Sequence, residues 1–104
     1  MTSIRITESG ELPISTGTIE VDTSNGSVTI FMKAGPVHTK HESLTITKVS
    51  RDHHVISLFG ETNLINGNEI VMFGLPIFAK VRKGKVRTIV MKCDGTHWHI
   101  IRED

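Results

Sequence analysis

The residues best equipped for chemistry gather near the end of the chain. Cys93 and Asp94 precede Gly95-Thr96, and His97 and His99 flank the single tryptophan, Trp98. Two histidines two residues apart project from one face of a strand. Such a pair could ligate zinc, nickel or copper, with a third ligand from His38, His41, His53 or His54. His38-x-x-His41 is not a zinc signature by itself, and no carboxylate or cysteine motif accompanies it. His97 and His99 therefore stand as candidate metal ligands, while the expectation is that no metal or other cofactor is bound. The alternative is two surface imidazoles, or a ring of histidines around a symmetry axis that responds to pH near 6.5. Cys93 could pair with a histidine for nucleophilic catalysis, although nothing local favours this over a half-buried small residue. Asp52-His53-His54 places neighbours on opposite faces of any strand and reads as a polar turn. Gly-x-Ser-x-Gly, a phosphate-binding glycine loop and His-Glu-x-x-His are all lacking. The expectation is a protein with no catalytic residues.

The elements that must position these groups are strands. Alanine occurs only at Ala34 and Ala79, and no apolar stripe of helical period persists. Valine, isoleucine and threonine dominate and favour a pleated backbone. Alternation and punctuation predict strands over Ser3–Thr7, Thr18–Asp22, Ser27–Lys33, Ser43–Val49, His54–Phe59, Glu69–Phe73, Ile77–Arg82, Val86–Lys92 and His97–Ile101. Asn25-Gly26 lies between two alternating runs and suits a type I′ hairpin turn, in which both central residues need positive φ. Lys83-Gly84-Lys85 and Asp94-Gly95 carry the same signal, and Asn66-Gly67-Asn68 marks a further turn. Closely spaced strands with turn signals predict an all-β, antiparallel, jelly-roll-like β-sandwich. No internal repeat is evident.

One domain, residues 1–104, accounts for the length. Twelve basic and eleven acidic side chains exclude the strongly basic balance of a general nucleic-acid binder. One cysteine excludes an internal disulfide and a cysteine-based zinc site. No apolar run approaches the length of a membrane span or a signal-peptide core, so no membrane partner is expected.

Several strands are apolar on both faces: Val55, Ile56, Leu58 and Phe59; Ile70 to Phe73; and Trp98, Ile100 and Ile101. A two-sheet protein of this size should leave one face of each strand polar. These strands need a second cover, either a local loop or a subunit interface. Phe59, Val71, Phe73, Trp98 and Ile101 are therefore expected to anchor the core or an oligomer contact. The basic side chains are also uneven. Lys80, Arg82, Lys83, Lys85, Arg87 and Lys92 supply half of the lysine and arginine within one short stretch. This reads as a solvated edge hairpin, and next as a docking surface for an acidic protein through Lys80, Arg82, Lys83, Lys85 and Arg87. Aromatic residues for base stacking are scarce, which places nucleic acid last.

The segments "SLTITKVSRDHHVISLFGETNLINGNEIVMF" and "VRTIVMKCDGTHWHII" resemble a β-rich domain of tailed-phage tail fibres, tail spikes and other virion appendages. The shared pattern is Leu-x-Ile-x-Lys at Leu44 to Lys48, a polar turn at Asp52, a strand at Val55 to Leu58 and a Gly-Glu segment from Gly60 to Gly67. It closes on Asp-Gly-Thr-x-Trp-x-Ile at Asp94 to Ile100. His99 stands where the pattern often has tyrosine, and "VRKGKVR" is more charged than usual. The resemblance implies a β-sandwich packed as a homotrimer that binds other virion parts or host-surface glycan.

A chain of this length, starting with its own methionine and carrying no shaft, suits a capsid decoration or cement protein, made in the host cytoplasm and carried on the virion. The expected partners are copies of itself and a major capsid or tail protein. The alternative is a tail fibre or tail spike module that recognises glycan.

Overall fold

In most of the β segments every second residue is apolar, and the computed structural model turns that alternation into rows of side chains facing one shared core. The structure describes residues 3–60, 65, 70–73 and 86–104. The described chain is built from strands and turns. Nine strands follow one another there: β1 (Ser3–Ile6), β2 (Gly10–Glu11), β3 (Gly17–Val21), β4 (Val28–Phe31), β5 (Leu44–Lys48), β6 (Ile56–Phe59), β7 (Ile70–Phe73), β8 (Thr88–Cys93) and β9 (Trp98–Glu103). They form two sheets, one in the order β1-β3-β5-β8-β9 and the other in the order β2-β4-β6-β7.

The chain steps from one sheet to the other at each connection through β6, so successive strands of a sheet run parallel. β1 pairs with β3 and β3 with β5 in one sheet; β2 pairs with β4 and β4 with β6 in the other. The path is that of a short β-coil with three rungs. Antiparallel strands then close it: β7 on β6, β8 on β5 and β9 on β8. The expected antiparallel, jelly-roll-like arrangement is corrected to two mixed sheets. Asn25-Gly26 explains the difference. Gly26 has φ of 143° and its N–H donates to the Thr23 carbonyl at 3.1 Å, as a tight turn requires. The turn carries the chain across to the second sheet and does not fold β4 back beside β3. Asp94-Gly95 does make a hairpin, with Gly95 at φ 104° and β8 antiparallel to β9.

The rungs also account for the lack of a visible repeat. Ser3 lies opposite Thr18, a short step along the chain, but Gly17 lies opposite Leu44, a much longer one. The second sheet is uneven in the same way, from Gly10 to Ile30 and then from Val28 to Ile56. Register is held by the core. Ile4, Ile19, Ile46 and Ile89 stand in one inward row across four strands, and the last three are fully buried. Opposite them the second sheet presents Val28, Ile30, Ile56 and Leu58, all buried. A one-residue slip would turn each row to solvent.

Eight of the nine expected strands overlap observed ones or meet them within a few residues, apart from Ile77–Arg82, which lies outside the described residues, as do the Asn66 and Lys83 turns. β2 is an addition; its two residues are too few to carry an alternation. Ile65 forms a bridge to Trp98 and is itself fully buried.

Truncating the middle of the isoleucine row tests this packing. Ile46→Ala should cost about 3 kcal/mol through lost burial and an unfilled cavity. Thr45→Ala, on the opposite face of the same strand, should change stability by about 0.5 kcal/mol or less. Urea titration of both variants checks the contrast.

Candidate functional site

The turn between β8 and β9 is organised by one carboxylate. Asp94 Oδ1 accepts from the backbone N–H of His97 at 2.8 Å, the N–H of Thr96 at 3.0 Å and the Thr96 hydroxyl at 3.0 Å. Its Oδ2 meets His99 Nε2 at 2.9 Å. The His97 amide, then His99 and the Thr96 amide, hold the Asp94 carboxyl well below the usual carboxylate range. His97 Nδ1 lies 2.9 Å from the Thr96 hydroxyl. The two histidines thus engage different partners within one turn. Among the described residues no three histidine, cysteine or acidic side chains converge on a common point that could hold a metal.

Trp98 points the other way, into the core, where it is fully buried. Its indole N–H donates to the Lys33 carbonyl at 3.1 Å, and its ring meets His38 edge-on at 5.3 Å. His38 and Cys93 are joined twice: the His38 N–H donates to the Cys93 carbonyl at 2.9 Å, and the Cys93 N–H to His38 Nδ1 at 3.3 Å. The group that meets the imidazole is therefore the backbone amide of Cys93. Burial pushes the His38 pKa down, and a neutral ring that accepts at Nδ1 carries its proton on Nε2. The Cys93 thiol is buried; it accepts from the N–H groups of Gly35 and Gly95 at 3.5 and 3.4 Å and donates to the Gly35 carbonyl at 3.6 Å. Gly35 passes close by: a Cβ there would come 3.2 Å from the Ser15 Cβ and 3.9 Å from the Trp98 ring. Together these contacts pin the 33–38 loop to the end of the first sheet.

A second polar knot closes the opposite ends of these strands. Lys48 follows Leu44 and Ile46 on the inward face of β5, and its side chain is fully buried. Its ammonium donates to the carbonyls of Asp52 at 3.0 Å and His54 at 2.6 Å, and lies 3.2 Å from Asp52 Oδ1. That oxygen also accepts from the Thr23 hydroxyl at 2.7 Å and the His54 N–H at 3.0 Å. Burial alone would raise the Asp52 pKa. Hydrogen bonds from Thr23, Ser50, the His54 amide and Lys48 overcome it and hold the carboxyl well below its ordinary range. Thr23 ties in Ser50, whose Oγ accepts the Thr23 N–H at 2.9 Å, and His54 Nδ1 lies 2.7 Å from the Thr23 carbonyl. Arg87 reaches across from the start of β8 to the carbonyls of Ser50 at 2.5 Å and Lys48 at 3.3 Å.

Of the residues expected to dock a partner, Arg87 is exposed but holds its guanidinium on this knot; Lys80, Arg82, Lys83 and Lys85 lie outside the described residues. Of the expected anchors, Trp98 is in the core and Ile101 is 55% exposed. Phe59 is half-buried, edge-on to Phe31 at 6.0 Å, and Phe31 is 47% exposed. In backbone register Val71 pairs with Leu58, Phe73 with Ile56 and Ile70 with Phe59.

In the sequence Asp52 reads as part of a polar turn and Lys48 as the end of a strand pattern; Thr23 and the joining of all three in one knot have no reading there. The signal for Lys48 was present: it shares the parity of Leu44 and Ile46, so it must point inward, and an inward lysine needs an anion nearby. The chain matches no protein-family model, and no curated protein or solved structure was found similar to it.

Removing the Asp52 charge tests the knot. Asp52→Asn should destabilise by about 3 kcal/mol near pH 7, because the buried Lys48 ammonium loses the Asp52 carboxylate. The folded-state pKa of Asp52 is depressed, so its stabilisation is complete above the unfolded value near 4 and is lost as pH falls through the folded value. The stability gap between the unmodified protein and Asp52→Asn should therefore narrow below about pH 4. Urea titrations across that range read the gap; one that stays constant would contradict the assignment.

Proposed function

We propose that this is a non-enzymatic virion structural protein that attaches to the particle surface, most simply a capsid decoration or cement protein. It works as a homotrimer of sandwich-like subunits and docks onto a major capsid or tail protein. The observation that carries this reading is how the polar side chains are used. Cys93, His38, Lys48, Asp52 and Asp94 each bind a neighbouring loop or turn, so the chemistry-bearing groups act as fasteners. The outer face of the second sheet, in contrast, offers Phe31 and Phe59 as an aromatic pair partly open to solvent. A partly exposed aromatic pair on a sheet face suits subunit contact. The resemblance of Leu44 to Lys48 and Asp94 to Ile100 to phage appendage domains supplies the setting.

A second reading, a glycan-recognising tail module, draws on a shallow depression on the outer side of β3 and β5. Thr16, Thr18, Ser43, Thr45, His41 and Glu42 line it, and such hydroxyl, imidazole and carboxylate groups can hydrogen-bond a sugar. Trp98, the largest ring for stacking on a sugar, is inside the core, which favours the first reading.

Light scattering should give a species of about three times the 11.5 kDa chain mass, and Phe31→Glu should shift it to the monomer at micromolar concentration. A stable monomer of the unmodified protein would overturn the trimer. In co-sedimentation, the protein should saturate phage heads that lack it and leave host glycan unbound. Failure to bind heads or tails would overturn the docking role.

A further inference from the structure

Among the described residues, the coil is closed at one end and open at the other. Antiparallel strands β7, β8 and β9 finish the two sheets on one side, whereas on the other side β1 and β2 are edges of the first rung. The edge at β1 has a definite chemistry. The Ile6 carbonyl accepts from the Asp22 N–H at 3.0 Å, with Ile6 opposite Val21, so Ile4 and Ile6 turn their backbone groups toward β3. Alternation then directs the N–H and C=O of Ser3 and Arg5 outward, and both residues are exposed.

The core is unfinished at the same place. Ile19, Ile46 and Ile89 of the inward row are fully buried, while Ile4, the next member, is only partly covered, and so is Ile6. The row stops one strand short. Beside it runs a shallow groove lined by Arg5, Ile6, Glu8 and Glu11. Arg5 pairs with Glu20 at 3.5 Å and Glu11 with Lys33 at 3.3 Å, and Glu8 and Glu11 are both exposed.

We infer that the open first rung receives an added β-strand from a partner protein, hydrogen-bonded to Ser3 and Arg5. Such an extended segment carries apolar residues at alternate positions to continue the Ile4 row, and cationic residues toward Glu8 and Glu11. Main-chain bonds supply the affinity and alternate side chains the selectivity. The inference rests on the docking role proposed above only in taking the partner to be a protein.

The test uses the full chain and a fluorescein-labelled peptide of about seven residues, alternating isoleucine or valine with lysine and threonine. Anisotropy should rise saturably. Arg5→Pro removes an outward N–H without breaking a ladder bond, so it should fold normally and weaken binding about tenfold, while Arg5→Ala binds nearly as the unmodified protein does. Glu8→Lys should weaken binding about threefold at low salt. Should Arg5→Pro fail to fold, the unmodified protein decides the matter: the same peptide N-methylated at alternate amides must not bind. Absence of saturable binding, equal binding by Arg5→Pro and Arg5→Ala, or equal binding of the N-methylated peptide would overturn strand addition. None of these results bears on whether the protein binds phage heads.

Discussion

Everything in this protein depends on the inward rows keeping register across two sheets. From β1 to β6 the chain changes sheet at each corner and gains no hairpin to fix its pairing, so the pairing there must be fixed by what each strand buries. The row Ile4, Ile19, Ile46 and Ile89 does this for the first sheet, and Val28 with Ile56 and Ile30 with Leu58 do it for the second. The connections are then free to differ in length, because the strands, rather than the loops, carry the alignment. The long connection between β4 and β5 holds Gly35, Pro36 and His38, and from it Gly35 and His38 meet Trp98 and Cys93.

Two polar knots complete what the core begins. Rows of aliphatic side chains leave backbone groups at the strand ends without partners, and buried ones must be satisfied. At one end His38 and Cys93 exchange two hydrogen bonds and Trp98 binds the Lys33 carbonyl. At the other, the Lys48 ammonium and the Asp52 carboxylate gather Thr23, Ser50 and the His54 amide. Cys93, weighed in the sequence as a nucleophile, and the Asp52-His53-His54 turn are thus drawn into these two knots. What faces outward is a sheet surface with an aromatic pair, an open first rung and a charged turn. The proposed contact role draws on these surfaces.

Strand positions were legible in the chain because alternation of Val, Ile and Thr reports burial directly. Strand direction was not. Asn25-Gly26 fits a hairpin and a corner equally well, since both need a glycine at positive φ between two alternating runs. The repeat was hidden by unequal connections: the step from Ser3 to its partner Thr18 is far shorter than that from Gly17 to Leu44. The inward side of Trp98 followed from its parity against His97 and His99. The meeting of His38 with Cys93, 55 residues apart, had no local signal because it depends on the path of an irregular loop. Lys48 could have been read: its parity with Ile46 placed it inside, and Asp52, one turn further along, is the counter-ion.

A cryo-electron-microscopy reconstruction of purified particles tests the central claim most directly, that this protein works by docking on the virion surface. The account predicts density for the two-sheet body in threes on the outside of the head or at a fixed position on the tail, with the Phe31 and Phe59 face turned toward a neighbouring subunit. Particles complete without such density, with the protein found free in the infected cell, would contradict it.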